Sequence, residues 1–473
     1  MRGWQGAAAA LMIATAGCSM HRPDVAGDAA RLTGVSGAIV FRGGLAAAVP
    51  AVGDTLTMEQ AVRLCLEQDP RIQGALARVR IAEADAGQAR LLPNPILSVD
   101  MRFPTEAGTG QTVEATLAAD VLSLLQKPGQ IAAADKRLRG AASDALTVVL
   151  DVMQEAQSSF AAARAFDVEL TAAKDRTALT QRMADIGDKR RELGDASRLD
   201  TLLLRAQVAV ALSDERDLGV QRHAERLHLG RLIGSARGPV EWKLEGAATV
   251  DETVAPEEEW VAAALRNRPE LQSKTWEMAA LGDDLTAATF SPLVGGDLGA
   301  HAEHDPTWRA GPAVSVPLPV FDWGQGSRSK IKAQRMAARA DLEETAAEVI
   351  QNVRTAYAAY IAAGAALREI SERVLPAQRE VMAEAQRSYD AGDAELVFLL
   401  QAQADFRTVA VKEIDLREKL IVARGQLMRA AGGAGVGAAL LQATTQPATA
   451  PQPAGAMQPA SDRGPATQKN EGG

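Results

Sequence analysis

Two hydrophobic periods take turns along the chain. A helix opens at Thr57, where Thr57-Met58-Glu59-Gln60 reads as an N-cap followed by an acid and an amide in the first turn. It runs to about Asp69 and is broken at Pro70, because proline disfavours helical geometry in the residue before it. A second amphipathic helix covers about Ile72 to Leu91 and stops at Leu92-Pro93-Asn94-Pro95. The period then falls to two. Leu97, Val99, Met101 and Phe103 alternate with Ser98, Asp100 and Arg102, and after a Gly-rich turn Val113, Ala115 and Leu117 alternate with Glu114 and Thr116.

From Pro128 to Pro239 there is no proline, and Ala, Leu, Val, Gln, Glu, Lys and Arg follow one another in helical rhythm with one strong interruption around Gly194. A helix from about Gln130 to Glu192 would be ~95 Å long. Its return from Ser197 to about Gly230 makes an antiparallel hairpin. Helices of this length cannot bury themselves in one compact domain, so the pattern asks for partners along their length.

The whole plan is then written a second time, at a spacing of about two hundred residues. Leu64 to Gln73 lines up with Ala263 to Gln272, which places Pro70 on Pro269, and the same offset places Pro93 on Pro292. Leu298, Ala300 and Ala302 alternate with Asp297, His301 and Glu303, and Val314, Val316 and Leu318 follow after Trp308. A helix from Ser327 to Tyr389, with a local kink expected at Pro376, turns at Gly392 and returns to about Arg429. Glu192-Leu193-Gly194-Asp195-Ala196 matches Asp390-Ala391-Gly392-Asp393-Ala394 at the two hairpin turns. Four strands with this alternation suit an outer-membrane barrel, and equally a half-buried sheet in water. Four strands cannot close a membrane barrel, whose smallest common form has ~8, so a barrel would have to be assembled from several copies.

Met1 to Cys18 has the charged, apolar and small-residue order of a secretory signal, with Arg2, then Ala7 to Ile13, then Ala14-Thr15-Ala16-Gly17-Cys18. Ala16-Gly17-Cys18 resembles a bacterial lipobox in which Cys18 becomes a lipidated first residue; the alternative is an ordinary signal with a chance cysteine. Cys65 sits on an apolar helical face as a small core residue. The formal charge of −9 comes without any Lys/Arg patch interleaved with aromatics, which argues against nucleic acid as a partner. His301 and His304 lie in a strand without a nearby thiolate and read as surface residues, so no metal site is expected. No Gly-Lys-Ser/Thr loop, Gly-x-Ser-x-Gly elbow or His-Glu-x-x-His is present, so neither catalysis nor a cofactor is expected. Aromatics are only 4% of the chain, which suits long helices packed on small side chains.

Leu56-Thr57-Met58-Glu59-Gln60-Ala61, Asp69-Pro70, Leu92-Pro93-Asn94-Pro95, Pro317-Leu318-Pro319-Val320-Phe321-Asp322-Trp323-Gly324 and Tyr389-Asp390-Ala391-Gly392-Asp393 together resemble the outer-membrane efflux protein (TolC) family, from Leu56 to about Gly433. The resemblance implies a mainly α chain with a small β part: four membrane strands and long antiparallel helical hairpins per protomer, in a homotrimeric α/β-barrel duct. It implies three kinds of partner, namely a periplasmic adaptor protein, an inner-membrane pump of the resistance-nodulation-division type and outer-membrane lipid. The expected role is export of small solutes, drugs or metal ions, from a lipid-anchored position in the outer membrane that reaches into the periplasm. The rival is a periplasmic coiled-coil adaptor or scaffold lipoprotein that never spans the membrane, which would not explain two strand pairs at one offset.

By the same resemblance the hairpin turns are periplasmic tips that touch the adaptor, through Gly194, Asp195, Ser197, Gly392 and Asp393. Asp195, Asp200, Tyr389, Asp393, Phe398 and Gln401 would lie at the pore entrance. Phe398 and Gln401 stand where some members carry aspartates, so an acidic ring of that kind is not expected there. The implied division is a signal peptide over 1–17, a lipidated segment over 18–55, a first repeat over 56–236, a linker over 237–257, a second repeat over 258–433 and a disordered low-complexity tail over 434–473.

Overall fold

A computed structural model describes residues 22–37, 39–42, 53–103, 111–245, 254–304 and 307–442. The signal segment, Cys18, the Gly-rich turn after Phe103 and the chain from 443 lie outside the described residues. Among the described residues no helix is long and apolar enough to cross a membrane.

The first repeat begins with β1 (Thr55–Thr57) and α2 (Met58–Gln68), preceded by a short α1 (Val25–Thr33). Thr57 closes a capping box: its hydroxyl accepts from the Gln60 backbone N–H at 3.2 Å, and the Gln60 side chain accepts from the Thr57 N–H at 3.0 Å. Pro70 does not only end α2. It is the first residue of α3 (Pro70–Arg90), where its missing N–H costs nothing, and Asp69 caps that helix. Then come β2 (Ile96–Arg102), β3 (Thr112–Asp120), the 66-residue α4 (Lys127–Glu192) and α5 (Arg198–Leu232).

The linker carries β4 (Lys243–Glu245), which pairs in parallel with β1, Leu56 opposite Leu244. The second repeat follows as α6 (Glu257–Asn267), α7 (Pro269–Ala288), β5 (Asp297–His304), β6 (Trp308–Ser315), α8 (Gln325–Glu369), α9 (Leu375–Ala391) and α10 (Leu396–Ala430). The kink expected at Pro376 is realised as a π-helical turn over Ile370–Val374. A proline clashes with the carbonyl four residues back and leaves it without a donor, and the wider turn relieves both. Strand β6 ends at Ser315, so Val316 and Leu318 lie beyond it. Pro317, which cannot donate to a ladder, follows at once.

The four long strands form one antiparallel sheet in the order β2-β3-β5-β6. Its register lines up Leu97, Leu117, Ala300 and Pro312 across the sheet, then Val99, Ala115, Ala302 and Ala310. Between these rows, on the other face, run Ser98, Thr116, His301 and Gly311, and Asp100, Glu114, Glu303 and Arg309. One face is therefore apolar across all four strands and the other is polar. His301 and His304 fall on opposite faces, where no single metal ion could take both: His301 meets the Thr116 hydroxyl at 2.9 Å, and His304 meets the Trp308 ring edge-on.

Below the sheet the helices stand side by side as α3–α4–α7–α8, and further on as α5–α4–α10 with α8 and α9. Where the levels meet lie two cores. Leu66, Ile72, Leu150, Met153, Phe160, Leu229 and Ile233 fill the first; Trp260, Val353, Tyr360, Leu420 and Leu427 fill the second. Cys65 is buried in the first core, where burial and the nearby Asp69 push its thiol up to about 12 and leave it inert.

Both terminal segments carry a helix. Within 18–55, α1 packs on α4 behind an Asp24 cap. The tail set to begin at 434 is ordered to 442: Ala434–Gln442 forms α11, which rests on α1, α6 and α10. Its two glycines and lack of a polar face hide a helix that tertiary packing holds. A Cβ on Gly435 would collide with the Arg31 carbonyl.

The corner between helices is built twice with opposite charge. In the first repeat Arg71 bonds Asp69 at 2.7 Å and Glu155 of α4 at 2.7 Å. In the second, Arg268 bonds Glu270 at 3.1 Å and donates to the Ala430 carbonyl at the end of α10, while Arg429 joins Glu270 at 2.6 Å to Asp151 of α4 at 2.7 Å. Burial works against the Glu270 carboxylate, but Arg429 and Arg268 hold its pKa below the usual carboxylate range. Its contribution to stability is complete above the unfolded pKa and is lost as pH falls through the folded one. Arg429→Met leaves that carboxylate buried and under-paired, and should cost about 3 kcal/mol or more at neutral pH. Denaturant midpoints measure this, and the deficit should shrink toward pH 4 as Glu270 takes a proton; a variant unfolding with the wild type at pH 7 contradicts it.

Candidate functional site

The two hairpin turns are built alike. Gly194 ends α4 with φ 87° and Gly392 ends α9 with φ 84°, the left-handed backbone that an L side chain resists. Nothing within 4 Å of either would meet an added Cβ, so backbone geometry rather than crowding calls for glycine. In each turn the aspartate after the glycine reaches back with its N–H, Asp195 to the Arg190 carbonyl at 2.8 Å and Asp393 to the Ser388 carbonyl at 2.9 Å. The next helices start differently. Ser197 and Asp200 form a capping box at the head of α5, with bonds of 3.1 Å and 3.2 Å, whereas Glu395 caps α10 without a side-chain bond.

The turns sit side by side. Ala184, Leu204 and Leu396 are buried in a small cluster with Tyr389, Val208 and Leu400 packed on it. The Arg190 guanidinium lies over the Tyr389 ring, 5.4 Å from its centroid, and so ties the first tip to the second.

The predicted entrance residues now separate by what they touch. Asp195 and Asp393 are exposed and have no ion-pair partner among the described residues. Phe398 is 65% exposed. Asp200 is engaged in its capping box, Tyr389 is half-buried under Arg190, and the Gln401 amide donates to Asp405 of its own helix at 2.8 Å. Cys18 lies outside the described residues.

Sequence reasoning missed the ties above the tips. Asp214 of α5 accepts from Arg176 of α4 at 2.8 Å and from Arg407 of α10 at 2.9 Å, joining the first hairpin to the returning helix of the second. Burial raises the Asp214 pKa and the two guanidinium groups lower it; the guanidinium groups prevail. A signal was present: Arg176 and Asp214 lie equally far on either side of Asp195, as facing positions of a hairpin folded there must.

Residues 260–433 match the family described as outer membrane efflux protein. Functionally curated proteins offer no sequence match. Among solved structures the chain is similar to the Campylobacter jejuni CmeC outer membrane channel, with TM-score 0.68 and 15% identity over 80% of this chain and 85% of that one. It is similar to the Vibrio cholerae outer membrane protein VceC, with TM-score 0.66 and 15% identity over 80% and 96%. The open state of the Neisseria gonorrhoeae MtrE outer membrane channel gives 0.62 and 14% over 88% and 97%. The second repeat thus matches the outer membrane efflux protein family, and the chain shares the fold of these outer membrane channels along most of its length.

Proposed function

We propose that this chain is the outer-membrane channel of a tripartite efflux system, which passes small solutes from an inner-membrane pump, by way of a periplasmic adaptor, to the outside. The observation that carries this reading is the sheet. Leu97, Val99 and Met101 are each more than half exposed on a face that is apolar over four strands, while its polar face carries three acids and an arginine in one row. Lipid accepts the first face and an aqueous lumen the second. A scaffold that never spans the membrane gives the apolar face nothing to contact.

Strands β2 and β6 are the free edges of the sheet. Three copies closing edge to edge would give twelve strands, well above the ~8 of the smallest common membrane barrels, and we read the assembly as a homotrimer. In such a barrel Leu117→Arg faces lipid and Thr116→Arg, one residue away, faces the lumen. An arginine near the midplane costs about 2–4 kcal/mol only on the lipid side. Leu117→Arg should therefore lose heat-modifiable oligomer from the membrane fraction while Thr116→Arg keeps it. A wild-type protein extracted by carbonate as a monomer overturns the channel reading.

For the tips we propose contact with the adaptor through the Gly194 and Gly392 turns and Ser197. Asp195 and Asp393 would then set six carboxylates at a trimer's mouth, favouring cations. Planar-bilayer reversal potentials of Asp195→Asn with Asp393→Asn should move toward no preference; an unchanged cation preference removes the tip acids from the account. The lipidated start resembles the branch that serves resistance-nodulation-division pumps for drugs or heavy metals, and we assign the chain to it. Cys18 would carry the lipid that anchors the mature chain to the outer membrane. Radiolabelled palmitate should enter the wild type and not Cys18→Ala, and its absence from the wild type refutes the anchor.

A further inference from the structure

Above the tips, α4 and α5 stand apart from α9 and α10 and leave a cleft of about 660 Å³. Leu179, Leu218, Met382, Phe406 and Val411 give it an apolar wall. Its ends differ in charge. Midway along it Arg176 and Arg407 are both committed to Asp214, and the uncharged Thr180, Gln207 and Gln403 lie between that tie and the tips. At the end nearer the membrane stands half-buried Glu169 of α4; Asp415 and Glu418 of α10 are close enough to act on its charge, and Glu225 of α5 acts on that of Glu418. Asp217 of α5 lines the same end. Of the cations on these helices, Arg222 of α5 is held by Asp167 and Glu241, and Lys419 offsets Glu418 but is not among the groups acting on Glu169.

We infer that this cleft is a binding site for amphipathic organic cations, with a protonated amine seated against Glu169 and an apolar body lying along Phe406 and Leu218. Three features converge on that class. The volume is that of a site for a drug-sized molecule. The wall is apolar with one aromatic ring, against which a cation-bearing body packs well. The polar end holds carboxylates from three helices, and no arginine is among the groups that act on Glu169 or Glu418, which leaves it short of positive charge. A neutral amphiphile would fill the wall and leave the carboxylates as they are; an anion would be repelled.

Burial, and then Asp415 and Glu418, push the Glu169 carboxyl up to about 7. A bound ammonium favours the ionised form, so protons compete with the ligand below about 7 and affinity rises with pH through that value. The site lies within one protomer, so the inference does not rest on the transport reading.

The test is fluorescence polarisation of rhodamine 6G, a lipophilic monocation, with the purified full-length protein in detergent, beside the neutral dye Nile red. Saturable rhodamine binding at pH 8 should weaken about tenfold at pH 6, while Nile red shows no pH dependence. Glu169→Gln should bind rhodamine about tenfold more weakly at pH 8 and lose the pH dependence. Asp415→Asn, which leaves Glu169 in place without its charged neighbour, should keep binding and move the pH midpoint lower. Rhodamine binding that is equal in wild type and Glu169→Gln, or a pH midpoint unmoved by Asp415→Asn, overturns the assignment.

Discussion

Among the described residues the outer edges of β2 and β6 pair with no further strand. In water such an edge is a hazard; in hydrocarbon each unpaired group costs several kcal/mol, which no spanning structure tolerates. An edge can be removed only by another edge, and the rest of the chain is laid out around that demand. Helices α3 and α5 stand on the β2 side of their layers, and α8 and α9 stand on the β6 side. At all three levels the same two sides are left open. In the proposed assembly one head-to-tail contact, repeated by rotation, pairs the strands and covers the helices together. It also accounts for α8, whose 45 residues bury little beyond Ala338, Val349, Val353, Ala356, Tyr360 and Leu367 within one protomer.

Two repeats of one plan carry a risk of mispairing, since each corner could dock where the other belongs. The corners are marked by charge. Asp69 and Arg71 occupy the positions of Arg268 and Glu270, so the polarity is reversed. Arg71 reaches Glu155 of α4 directly, whereas Glu270 needs Arg429 to reach Asp151, one helical turn earlier on the same helix. Exchanging the corners would set Glu270 against Glu155 and Arg71 against Arg429. Like charges held together in partly buried surroundings cost far more than a surface pair gains, so the inversion favours the native docking over the swapped one.

Most of this architecture was legible because it rests on local rules. The capping box at Thr57, the prolines at the corners, the change of period into the strands and the glycines at both turns each act within a few residues, and each lies where the sequence puts it. What stayed hidden depends on distant contact. Helix α11 is a short apolar stretch whose helix exists only against α1, α6 and α10, and β4 needs β1 from the other end of the repeat. Arg226, buried with its guanidinium on Asp167 and on the Val240 and Trp242 carbonyls, looks in sequence like any helix-surface arginine. At the tips, residue type was read more surely than role. Asp195 and Asp393 are free, but the similar Asp200 is spent on a cap, which the Ser-x-x-Asp spacing at 197 to 200 signals.

The distribution of buried surface says where such a molecule yields first. The equatorial cores join α2, α3, α4 and α5 in one cluster and α6, α8 and α10 in the other, around large side chains such as Phe160 and Trp260. At the tips the apolar cluster shared by the hairpins is small, built on Ala184, Leu204 and Leu396. Exposing two leucines costs on the order of 3–6 kcal/mol, and the Arg190–Tyr389 contact and the Asp214 ion ties add at most a few more. Separating the hairpins at their ends is thus a matter of a few kcal/mol, within reach of a bound partner's interaction energy. Separating them at the equator would break a core. A separation running from the tips up to Asp214 would break only these contacts and leave both cores intact.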